Sequence, residues 1–80
     1  MIYDFSGQYA ADTFTELKDF LSANNIPHSC IREKDGVKYA NITNRQVRHR
    51  IASQVKVVDS YEEFQAIAMI MTHSEERSSQ

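Results

Sequence analysis

The run Ile31-Arg32-Glu33-Lys34-Asp35-Gly36-Val37-Lys38-Tyr39-Ala40 decides how this chain folds. Asp35-Gly36 suits a two-residue type I′ turn, because both positions tolerate positive φ. A hairpin over Ile26 to Ile42 then follows, with a fixed register. Glu33 faces Lys38, Ile31 faces Ala40 and Ser29 faces Ile42 on one side. On the other side Arg32 faces Tyr39, as a cation–π pair, and Cys30 faces Asn41. The first side has the apolar middle and is expected to pack on helices.

Working back toward the start, Phe14, Leu17 and Leu21 recur at helical spacing, with Phe20 on the flank. Thr13 with Glu16 fits a capping box, and Asn24-Asn25 before Pro27 closes a helix over Thr13–Ala23. Met1–Phe5 alternates and reads as a short first strand, ended by Ser6-Gly7. Working forward, Thr43 or Asn44 caps a second helix through about Ser53, anchored by Val47 and Ile51. Val55–Val58 is β-branched and reads as a last strand. Ser60 with Glu63 opens a final helix through about Thr72, its core face carrying Tyr61, Phe64, Ile67, Ala68 and Met71. A polar, frayed tail is expected from Ser74.

The predicted order is strand, helix, hairpin, helix, strand, helix. It specifies a small α+β two-layer sandwich, an antiparallel sheet of three to four strands with helices on one face. Without the last helix this is the ferredoxin-like split βαβ order, an order of elements rather than a sequence match.

Eighty residues make one domain, 1–80, with a thin core. A hydrophobic fraction of 41% beside 25% charged residues places the chain among globular rather than disordered sequences. Cys30 is the only cysteine, so no disulfide framework exists and a reducing, cytoplasmic setting is expected. Met1–Phe5 lacks a basic leader region. The uncharged run Phe64–Ser74 is far shorter than the roughly 20 residues that span a bilayer, so no membrane contact is expected.

The residue pattern offers no catalytic motif. Gly7 and Gly36 are too far apart for a phosphate loop, and no serine sits in a nucleophile elbow. The carboxylates cluster at helix starts, where free amides and the helix dipole explain them. The reading is therefore no enzyme and no cofactor. His28 and Cys30 could share a strand face, but a structural zinc needs four ligands, and His49 and His73 would have to converge from separate helices. No metal is expected. Basic neighbours could activate Cys30, although sequence alone places none beside it.

Charge is the informative pattern. Residues 1–24 carry a net −3, residues 25–56 a net +5 and residues 57–80 a net −4, so the overall −2 hides a basic middle. On the second helix Val47 and Ile51 take the core side. Arg45 and His49 then point away from it, with Arg48 and Arg50 flanking. On the last helix Met69 and Ile70 fall outside the core arc. Each would gain about 1.5–3 kcal/mol on burial, enough to make a twofold dimer through that helix worth testing. The expected function is stoichiometric and non-enzymatic, that of a protein-binding or regulatory domain of inhibitor or adaptor type. Arg45, Arg48, His49 and Arg50 would meet an acidic protein surface, and Met69 and Ile70 would supply an apolar contact. The alternative is a nucleic-acid-binding regulator using the same arginines on phosphates. A chain with pI near 5.8 is far from the basic norm for such proteins.

Overall fold

Two hairpins, rather than one, build the sheet. The computed structural model describes residues 1–78, with side chains through Ser74. β1 (Ile2–Phe5) and β2 (Gln8–Ala11) turn at Ser6-Gly7 and precede α1 (Phe14–Ala23). β3 (Ile31–Lys34) and β4 (Val37–Asn41) turn at Asp35-Gly36. Then come α2 (Arg45–Ile51), β5 (Val55–Val57) and α3 (Tyr61–Ser78). Both turns use positive φ at both central residues, 51° and 89° at Ser6-Gly7 and 55° and 77° at Asp35-Gly36. That twist matches the flanking strands.

The second hairpin has the predicted register, Ile31 opposite Ala40, Arg32 opposite Tyr39 and Glu33 opposite Lys38. It is shorter than expected, because residues 28–30 form a 3-10 turn before the strand starts. Arg32 sits across from Tyr39, but its guanidinium turns back to donate to the Ser29 carbonyl at 2.7 Å. The ammonium groups of Lys18 and Lys38 instead lie over the Phe14 ring, at 5.0 and 4.8 Å.

The strands lie in the order β3-β4-β2-β1-β5. This five-stranded sheet is mixed, because β5 runs parallel to β1 while every other pair is antiparallel. The expected purely antiparallel sheet of three or four strands is thereby corrected, and β2 stands between β1 and β4 where a ferredoxin-like order has no strand. The physical reason lies at the first turn. Asp4 Oδ1 accepts the Gly7 amide at 3.0 Å, which fixes a tight reversal and brings residues 8–11 back alongside β1.

Helices cover both faces, not one. The parity set by the registers puts Tyr9, Ala40, Lys38 and Ile2 on one side, under α1 and α2. Phe5, Gln8, Ala10 and Tyr39 lie on the other, under α3, where Phe5 meets Tyr61 and Phe64 at ring separations of 5.6 and 6.1 Å. Tyr9, Ala10 and Ala11 are all buried, as a central strand sandwiched on both sides must be. The caps behave as read. Thr13 accepts the Glu16 amide, Asn44 the Val47 amide and Ser60 the Glu63 amide. The Glu16 carboxylate, however, pairs with the Met1 amine rather than closing a capping box. α3 continues through Ser78, beyond the frayed end expected from Ser74; residues 79 and 80 lie outside the described residues.

β2 and β4 pair only at Gln8–Asn41 and Tyr9–Ala40, and then the ladder stops. The next amides turn to α3 instead. Ala11 N–H points to Met71 Sδ at 3.2 Å, and Lys38 N–H donates to Thr72 Oγ1 at 2.9 Å. Thr72 in turn donates to the Ala68 carbonyl at 2.8 Å, so its hydroxyl is fully used. α3 is thus a wedge in the sheet and contacts α1 on the far side of it.

The two turn glycines separate by what surrounds them. Nothing lies within 4 Å of a Cβ built on Gly36, whereas one on Gly7 would meet the Ile42 carbonyl oxygen at 3.2 Å and Arg48 Cζ at 3.5 Å. Gly36→Val is expected to cost about 1–2 kcal/mol from positive φ alone. Gly7→Val should cost more, because the same strain is joined by backbone crowding. Urea denaturation of the two variants checks the order, and equal costs would remove the crowding at Gly7.

Candidate functional site

α2 is short because its register has one apolar stripe, Val47 half-buried and Ile51 fully buried, held between the sheet and the loop that follows α1. Docking that stripe sets where its basic side chains fall. Arg45, Arg48 and His49, with Ala52, form one wall of a hollow of about 300 Å³, and Asp4, Tyr9, Val55 and Val57 from β1, β2 and β5 form the other. The parallel β5 creates this hollow by bringing its valines beside Asp4.

At its base lies Tyr9, only 1% exposed, between Asp4 and Arg48. Burial pushes the Tyr9 phenol above its ordinary value of 10.0, the Asp4 charge adds to that, and Arg48 opposes it. The hydroxyl therefore stays protonated, with Asp4 as its acceptor. With the folded value raised, the stability tied to this proton is complete below about pH 10 and is lost as pH climbs through the folded value.

The predicted basic residues do not form one surface. Arg45, Arg48 and His49 converge on the hollow. All three are exposed, away from the Val47–Ile51 stripe as expected, and β1, β2 and β5 supply the other wall beside them. Arg50 leaves the group and donates to the Asn24 carbonyl at 2.8 Å, where Asn24 and Gln54 also exchange amide hydrogen bonds. Its role is to tie α2 to the end of α1. Among the described residues no ion pair joins Arg45, Arg48 or Arg50 to a carboxylate, and Arg45 and His49 have no hydrogen-bond partner.

Met69 and Ile70 are 45% and 65% exposed on the outer side of α3, outside the core as expected. They lie across the sheet from α2, so one flat contact cannot include both groups. Asp4 and Tyr9 were not anticipated from sequence. The only signal for them was a two-residue reversal at Ser6-Gly7, which would have put both on the α2 side of adjacent strands.

The other candidates resolve into structure. His28 Nε2 is 3.0 Å from Ser22 Oγ and 3.2 Å from the Lys18 carbonyl, pinning the turn before β3 to α1. It does not share a strand face with Cys30, because both belong to the 3-10 turn. Burial pushes the Cys30 thiol up, against a weaker opposing effect from Arg32, so the site does not favour a thiolate. Among the described residues no group of three or more His, Cys, Asp or Glu could hold a metal ion, and no helix is long and apolar enough to cross a membrane.

The chain matches no known protein family, no curated protein and no solved structure.

Proposed function

We propose that this chain is a non-enzymatic binding domain, of inhibitor or adaptor type, that captures an acidic protein surface on α2 in a cytoplasmic setting. One observation carries the reading: three basic side chains converge on a single hollow, and among the described residues no ion pair joins them to a carboxylate. A basic helix face that merely balanced the acidic ends of the chain would have its arginines paired internally. Here Arg45 and His49 are left for an incoming carboxylate, and Arg48 braces the buried Tyr9 behind them. The apolar patch of Met69 and Ile70 is too small to hold a dimer alone. Stable interfaces bury roughly 1,000 Å² or more, so a partner seated on α2 is favoured over self-association through α3.

The test is charge reversal at the two positions that hold nothing else in place. Arg45→Glu combined with His49→Glu should leave thermal unfolding unchanged and weaken partner capture from nuclease-treated lysate by roughly a hundred-fold, because like-charge juxtaposition costs several kcal/mol. Capture that survives the reversal defeats the reading. Capture that vanishes on nuclease treatment transfers the site to nucleic acid, and its affinity should then fall steeply with salt.

A further inference from the structure

On the opposite side of the sheet from α2, we infer a second binding site, a pocket for a planar heteroaromatic ring bearing an anionic group, the chemistry of a mononucleotide. The pocket lies where α3 begins. It encloses about 260 Å³ and is lined by Gln8, Lys34, Val37, Tyr39, Tyr61, Phe64 and Gln65. That is slightly below the roughly 300–1,000 Å³ of drug-sized sites, which limits the occupant to one compact ring system with a short substituent.

Three features select the ligand. The first is aromatic. Tyr39, Tyr61 and Phe64 contribute rings, and Tyr61 stays 47% exposed while its ring rests on Phe5 at 5.6 Å. Phe5 also stacks on Phe64, which is buried and backs the pocket wall, so Tyr61 is the ring held ready before any ligand arrives. Flat π-systems gain most from such preset rings.

The second is polar. Gln8 and Gln65 are half-buried, and neither amide has a hydrogen-bond partner among the described residues. Each amide offers donors and an acceptor together, which matches the alternating edge of a nucleobase. An aliphatic occupant would strip water from both amides and return nothing. The third is charge. Among the described residues Lys34 is the one cation in the lining, no carboxylate lines the pocket, and Lys34 has no ion-pair partner. A phosphate group on the ring system would meet it.

Titration of the ¹⁵N-labelled full chain with AMP, UMP and ribose 5-phosphate tests this, read at the Gln8 and Gln65 side-chain amides and the Lys34 and Tyr39 backbone amides. Saturable shifts at these positions with AMP or UMP, and much weaker ones with ribose 5-phosphate, are expected. Tyr61→Ala should weaken binding roughly ten-fold or more, and Lys34→Gln should reduce AMP to the affinity of adenosine. Gln65→Leu keeps the shape of the wall and should also weaken binding, so the site remains testable should Tyr61→Ala disturb α3. No saturable shift at millimolar nucleotide, or equal shifts with ribose 5-phosphate, overturns the proposal. Shifts confined to the α2 hollow would likewise overturn it, by showing anion binding without ring recognition.

Discussion

Phe64→Ala is expected to cost about 3–5 kcal/mol, the range for truncating a buried aromatic side chain. Phe64 is nearly inaccessible, stacks on Phe5 and is the first buried residue of α3. A chain of this size has a total stability of roughly 4–12 kcal/mol at typical values per residue, so one truncation removes a large part of it. The urea midpoint should fall sharply, and at physiological temperature a visible unfolded fraction should appear. A cost under about 1 kcal/mol would mean that α3 is loosely docked, against the burial of Phe64, Ala68 and Met71 along one stripe.

Met71 makes the second large prediction, because it fills space and accepts a hydrogen bond. Met71→Ala should cost about 2–5 kcal/mol, from lost burial and the cavity left between β2 and β4. Met71→Leu conserves volume and would ordinarily cost less than about 1.5 kcal/mol. Here leucine leaves the buried Ala11 amide without its sulfur acceptor, so the cost should lie at or above the top of that range. Urea unfolding of both variants separates packing from the amide contact. Leucine behaving as wild type would show that the sulfur contributes only bulk.

Much of this architecture was legible because the deciding residues act locally. Asp35-Gly36 needs only its own backbone to choose a type I′ turn, and Thr13, Asn44 and Ser60 each accept an amide three residues on. Phe64, Ala68 and Met71 announce a buried stripe through spacing alone. The first hairpin was harder to read. Serine at φ 51° is a weak turn signal, and Gln8-Tyr9-Ala10-Ala11 lacks the β-branched residues that mark a strand. Missing β2 misplaced the helices too, since a sheet without its central strand has no reason to be covered twice.

The candidate site was legible in its residue types and not in its shape. The excess of positive charge at residues 45–50 stands in the sequence, but which cations meet depends on what lies under α2. β5, running parallel beside β1, supplies that floor, and no periodicity within Val55–Val57 specifies the direction of pairing. Arg50 looked equivalent to Arg45 until the end of α1 came within reach of its guanidinium. The pocket by α3 was invisible for the same reason, because Gln8 and Gln65 are remote in sequence and meet only through β2.

The wedge formed by α3 bears on the order in which this protein can be made. As the chain leaves the ribosome, each hairpin can close on local contacts soon after its second strand emerges. The join between the hairpins cannot be finished then. Ala11 waits for an acceptor 60 residues downstream, and Lys38 for one 34 residues downstream. Until Met71 and Thr72 have been synthesised, two backbone donors in the middle of the sheet have only water or each other's strand to satisfy them. The last quarter of the chain therefore seals the centre of the fold, and a nascent chain stopped short of Met71 holds two hairpins without a finished sheet.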